Sequence, residues 1–146
     1  MSPAEKKDLS KAEWKVMRIA WKLQKAMARE IYTIAGEKHS WTPATVKTIL
    51  RRLVEKGYLS TTPVGNGFVY RPVQSVFSAL QAAADKLLKN AMEGTTGPLL
   101  AHMVERTPLD ADDLDTLQKL IDAKKKSLGK RRSRQIRGRE NERTPR

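Results

Sequence analysis

The residues best equipped for chemistry lie in the run TPATVKTILRR, positions 42–52. A helix turns by about 100° per residue, so Val46, Ile49, Leu50 and Leu53 share one face. Ala44, Lys47, Thr48, Arg51 and Arg52 then share the opposite face, with Thr45 at its flank near the N-terminus. Small residues at the start of such a helix allow close approach to a groove. Thr45 and Thr48 suit a thymine methyl or a base-edge hydrogen-bonding group, and Lys47 and Arg51 suit guanine O6 and N7 or phosphates. Thr42 and the free N–H groups of the first turn suit a phosphate. The bland alternative is a solvated face on an ordinary surface helix. Helix order, a hairpin that follows and the net charge of +13 favour contact with DNA.

Other chemistry finds little support. The chain has no cysteine, which excludes disulfides, thiolate metal clusters and cysteine nucleophiles. His39 and His102 are far apart, with no second ligand at helical spacing, so no metal is expected. Asp110, Asp112, Asp113 and Asp115 fit capping and charge complementarity at a helix start. No Ser-His-Asp order, P-loop or zinc-protease motif is present, so neither catalysis nor a cofactor is expected. No apolar run approaches the length of a membrane span, and MSPAEKKDLS lacks the apolar core of a secretory signal. A cytosolic chain with no membrane partner is the expectation.

The elements that must position the basic face can be read from local signals. Ser10 and Glu13 have capping-box spacing, with Leu9 and Trp14 as a hydrophobic staple. Trp14, Met17 and Trp21 recur at helical spacing and predict a core stripe. A second helix over about 28–37 turns Ile31, Ile34 and Ala35 inward. His39, Ser40 and Trp41 form the connection. Thr42 is an N-cap, Pro43 suits the first helical position, and Gly57 marks a left-handed stop. Tyr58 to Thr62 and Phe68 to Val73 read as paired strands around Gly65-Asn66-Gly67, and Pro63 and Pro72 confine them to edges or strand ends. Three helices and a hairpin are the element order of a winged helix-turn-helix, with Gly65, Asn66, Gly67 and Arg71 as the wing's contact residues.

Beyond residue 73 the pattern is helical. Phe77, Leu80, Leu87 and Leu88 form a seam on a helix ending near Gly94. Pro98 opens another, with Leu99, Leu100 and Met103 apolar. Asp110 caps the last, where Leu114, Leu117, Leu120 and Ile121 face one side and Lys124 to Lys126 complement the C-terminus. These helices lack a large partner layer within the chain, and a second copy is the simplest cover. From Gly129 the sequence is basic and nearly free of large apolar groups, so no regular structure is expected. The expected class is mostly α with a small β-hairpin wing. Its divisions are a disordered 1–8, a DNA-binding domain at 9–73, a helical dimerisation region at 74–128 and a disordered basic tail at 129–146.

LSKAEWKVMRIAW, WTPATVKTILRRLVEKGYL and GNGFVYRPV together resemble the penicillinase and methicillin-resistance repressor family (BlaI/MecI/CopY). The resemblance spans about Leu9 to Lys124. Trp14, Trp41, Pro43, Thr45, Thr48, Arg52, Leu53, Gly57 and Tyr70 fall where the family has like residues. It implies a homodimeric repressor on a palindromic double-stranded operator, with the third helix in the major groove and the C-terminal helices interlocked. Ala44 stands where relatives often carry lysine, and Arg51 where some carry threonine. Antibiotic-responsive members are cut by proteolysis at an Asn-Phe bond, which brings a sensor protease as a partner. The matching bond here is His102–Met103, and neither residue agrees. Copper-responsive members bind metal through a cysteine-rich tail, which this chain lacks. The basic tail from Lys130 lies outside the family pattern. A non-sequence-specific architectural nucleic-acid binder, or a winged-helix protein-interaction module, stays open as the other reading.

Overall fold

The computed structural model describes residues 7–142, with side chains through residue 138. The first helix, α1 (Lys11–Leu23), begins at Ser10 with a complete capping box. The Ser10 hydroxyl accepts from Glu13 N–H at 3.2 Å, and the Glu13 carboxylate accepts from Ser10 N–H at 3.3 Å. A two-residue strand, β1 (Ala26–Met27), separates α1 from α2 (Ala28–His39). Ser40 ends α2 in the left-handed region at φ 56°, and α3 (Pro43–Glu55) follows. Thr42 caps α3, and Pro43 fills its first position.

The C-terminal end of α3 closes as a Schellman turn. Tyr58 N–H bonds Leu53 C=O at 2.9 Å, and Gly57 N–H bonds Val54 C=O at 3.0 Å. Gly57 lies at φ 84°, where a side chain would be strained. The turn delivers the chain into β2 (Leu59–Val64) and β3 (Gly67–Pro72), joined at Gly65 and Asn66. All pairing is antiparallel, in the order β1-β3-β2. The expected hairpin is therefore a three-stranded sheet. Two residues are too few to show a period, so β1 left no trace in the sequence pattern. Pro63 sits on edge strand β2 and Pro72 at the end of β3, where their missing N–H groups break no ladder.

The core joins α1, α2, α3 and the sheet. Val16, Met17, Ile31, Val46, Leu50, Leu53 and Leu59 are sealed from solvent. Trp21 is buried, and its Nε1–H donates to Gln74 C=O at 3.0 Å. Trp14 departs from the core expectation. It is half-buried, at the edge of the stripe, with its ring 5.8 Å from that of Trp21. The expected disorder of residues 1–8 falls mostly outside the described residues, but Lys7 and Asp8 are held. Lys7 C=O accepts from Tyr58 Oη at 2.8 Å, and Asp8 pairs with Lys86 at 2.5 Å.

Helix α4 (Val76–Lys89) ends before the expected Gly94, at Asn90. The chain divides into two compact units, Met1–Asn90 and Ala91–Arg146, so α4 goes with the first. Trp21 through Gln74, Lys86 through Asp8 and the core residue Ala79 tie α4 and the residues just before it to the sheet-bearing unit, so this compact unit extends past residue 73. The second unit holds α5 (Thr96–Arg106) and α6 (Ala111–Glu142). Asp113 N–H donates to the Asp110 carboxylate at 2.8 Å, the cap read from the sequence.

Helix α6 does not stop near Leu128. It continues to Glu142 through most of the basic segment, where the sequence predicts no regular structure, so Lys124 to Lys126 lie within the helix rather than at its end; residues 143–146 of the expected tail lie outside the described residues. No proline falls between Pro108 and Pro145, and Lys, Arg and Gln are good helix formers, so local propensity carries the helix without a core. Three helices plus a paired wing make the N-terminal unit a winged helix-turn-helix.

Candidate nucleic-acid interface

Helix α3 presents the two faces its sequence demands. Val46, Ile49, Leu50 and Leu53 are buried, while Ala44, Thr45, Lys47, Arg51 and Arg52 are exposed and Thr48 is half-buried. The core fixes the helix's rotation, so the basic face is held outward by burial behind it.

The polar groups differ in how free they are. Thr42 Oγ1 accepts from Thr45 N–H at 3.3 Å and lies 3.0 Å from Thr45 Oγ1. Thr48 donates its hydroxyl to Ala44 C=O at 3.1 Å, which leaves its methyl and oxygen lone pairs outward. Arg51 reaches Glu55 at 4.0 Å with both side chains well exposed, a pairing too weak to hold it against a phosphate. Among the described residues, Lys47 and Arg52 form no ion pair.

A cleft of about 520 Å³ runs between α3 and the sheet. Ala44, Lys47, Thr48, Arg51, Val54 and Glu55 form one wall, and Thr61, Phe68 and Tyr70 the other. The structure thus unites the helix residues with three strand residues that the sequence reading passed over. Alternation along β3 carried the signal: Phe68 and Tyr70 share a face, opposite buried Val69. Phe68 is 51% exposed.

The wing residues are arranged otherwise. Gly65 takes φ 60° at the tip, with open space around it, and Asn66 is exposed beside it. A Cβ on Gly67 would stand 3.0 Å from Met27 Cε, so a larger residue there would make the Met27 side chain shift slightly. Arg71 is exposed but does not line the cleft, since alternation puts it on the Val69 face of β3.

Behind the helix lies a buried ion pair. Lys56 Nζ stands 2.7 Å from Glu13 Oε1 and also donates to Asp8 C=O at 3.0 Å. Burial pushes the Glu13 carboxyl up, but Lys56 and Ser10 outweigh it and hold the group below its ordinary value. The pair ties the end of α3 to the start of α1.

The residues expected to dimerise are mostly uncovered. Phe77 is 69% exposed, and Leu80, Leu87, Leu88, Leu100, Met103, Leu114, Leu120 and Ile121 are all exposed. Leu99 and Leu117 are half-buried, and among the described residues nothing after Ala79 is buried. His102 and Met103, the bond aligned with the family's cleavage position, are exposed within α5.

The penicillinase repressor family model matches residues 9–123. An uncharacterized 16.5 kDa protein from the ptsI 3′ region of Latilactobacillus sakei is 32% identical over 117 residues, 80% of this chain and 80% of its own. The penicillinase repressor of Bacillus licheniformis is 26% identical over 117 residues, 80% of this chain and 91% of its own. Among solved structures, the DNA-binding domain of the repressor BlaI is 34% identical over 46% of this chain and 82% of its own, with a TM-score of 0.44.

Proposed function

The chain belongs to the penicillinase repressor family, and from that premise we propose that it is a homodimer that represses transcription at a palindromic operator. At the coarser level it is a DNA-binding transcriptional repressor and not an enzyme, as the matched family and its Bacillus licheniformis relative are penicillinase repressors. The observation that carries the finer reading is the outward face of α3, where Lys47, Thr48 and Arg51 stand exposed or half-exposed beside the wing and Arg52 is exposed further round the helix. In the proposed complex this face enters the major groove. Thr42 and the first-turn N–H groups hold a phosphate, and the tip at Gly65, Asn66 and Gly67, with Arg71, follows the neighbouring backbone. The residues that read DNA lie at 9–73. Those that pair two copies lie at 74–128, on the uncovered apolar faces of α4, α5 and α6. A repressor acts where the chromosome is, so the cytoplasm is the proposed compartment.

Relief of repression belongs to the same proposal, by a sensor protease or by another signal, since His102 and Met103 match neither residue of the family's Asn-Phe bond. The aligned bond, His102–Met103, lies inside a helix, so cutting it requires α5 to open locally.

In-vitro selection on random duplex DNA at near-physiological salt, followed by footprinting, tests the reading. The expected product is a two-fold symmetric site with half-sites about 34–36 Å apart or a multiple of that. Enrichment of nothing beyond general DNA affinity would count against it and favour an architectural role.

A further inference from the structure

The family match ends at residue 123, yet α6 runs on to Glu142. Between residues 123 and 138 the sequence holds eight Lys and Arg and no Asp or Glu; the nearest acids are Asp122 and Glu140, at the two ends of the run, so its middle carries uncompensated positive charge. The charges are also ordered. Lys126, Lys130, Arg134 and Arg137 follow one another by four, four and three residues, which keeps them on one stripe. Gly129 and Ser133 lie between them and leave a shallow trough of about 740 Å³ along it. Small residues flanked by cations let a phosphate chain approach the helix closely while the side chains close over it.

We infer that this stripe is a second nucleic-acid site, one that takes the phosphate backbone of duplex DNA outside the bases read by α3. The inference rests on reading the chain as a DNA-binding protein. Lys126 to Arg137 spans about 16 Å of helix axis, which matches about five phosphates of one strand at 3.4 Å each. Like charges four residues apart repel within a helix, and phosphates relieve that repulsion. An acidic membrane is the poorer partner. Leu128 and Ile136 are the large apolar residues of the segment, too little surface to enter a bilayer. Phosphate contacts carry no sequence information, so the stripe adds affinity and leaves operator choice to α3.

The test compares the full chain with two variants that each lose four charges. One carries Lys126→Gln, Lys130→Gln, Arg134→Gln and Arg137→Gln. The other carries Lys124→Gln, Lys125→Gln, Arg131→Gln and Arg132→Gln, on the remaining faces. Gln is a good helix former, so both should stay folded, as far-UV circular dichroism will check. Affinity for a long random-sequence duplex is measured between about 50 and 200 mM salt. Each lost phosphate contact lowers the slope of log affinity against log salt by about 0.9, so the stripe variant should lose up to about 3.6 per protomer. That is roughly a 100-fold smaller loss of affinity over the range. The second variant should keep most of the slope. Equal loss in both would reduce the effect to net charge and overturn the inference. So would an unchanged stripe variant, or one that loses binding to phosphatidylglycerol vesicles but not to DNA. Failure of the unmodified chain to bind duplex at all would sink the DNA-binding reading as well, whereas duplex binding whose salt slope is the same with and without the stripe charges would sink the inference alone.

Discussion

Lys47 and Glu13 show two ways a single side chain can matter, one outward and one inward. Lys47 has no ion pair among the described residues and lines the cleft against the wing. In the proposed complex, Lys47→Ala should cost about 1–3 kcal/mol on the specific site and much less on random DNA, measured by competition. Equal loss on both would make it a phosphate contact. Glu13 is nearly sealed, and its Oε2 has no hydrogen-bond partner among the described residues. Its worth therefore depends on Oε1, held by Lys56 and Ser10. Glu13→Gln keeps the size but removes the charge and should destabilise the chain by about 1.5–3 kcal/mol at neutral pH in urea melts. The sign with pH follows from the lowered folded pKa. The contribution is whole above the unfolded value of about 4.3 and fades as pH falls through the folded one. The gap between the chain and its variant should therefore close in acid. A gap that stays constant would mean that shape, not charge, sets the cost.

Helix α3 is positioned by its ends as much as by its core face. Gly57 ends it at φ 84°, and the bond from Tyr58 to Leu53 sets the direction of β2. Gly57→Ala should cost about 1–2 kcal/mol in thermal or urea unfolding through left-handed strain. Thr42→Ala should cost about 1 kcal/mol through the lost cap. At this scale the sequence was most legible. Capping boxes, Pro43, Gly57 and the apolar stripe of α3 are local signals, and each element they mark is present. The unread parts depend on contacts distant in sequence. Strand β1 exists because Ala26 and Met27 meet Tyr70 and Val69. The cleft wall of Phe68 and Tyr70 becomes visible only when the sheet is folded against α3. The start of α6 is legible from its Asp110 cap, but its extension past Leu128 is not, for the opposite reason: uninterrupted helix propensity carries that stretch without a core.

For the molecule as a whole, the unresolved accounting is apolar. Leu87 is 53% exposed, and among the described residues α5 and α6 bury none, although both carry leucine-rich faces. In a lone chain Leu87→Asp should then change stability little, within about 0.5 kcal/mol, since surface substitutions seldom do more. In the proposed homodimer the same change puts a charge in an apolar seam and should abolish pairing. Leu117→Asp, in the second unit, asks the same of α6. The two outcomes separate cleanly in sedimentation velocity: a shift from dimer to monomer assigns the seam, and an unchanged sedimentation coefficient removes that residue from it. DNA binding should follow in a defined way. Two linked reading heads on one palindrome gain about 10²–10⁴ in avidity over one head. The monomeric variants should lose a factor of that order on the full operator. On an isolated half-site they should bind as one protomer of the unmodified chain does, because α3, its caps and the Glu13–Lys56 pair all lie within the first unit.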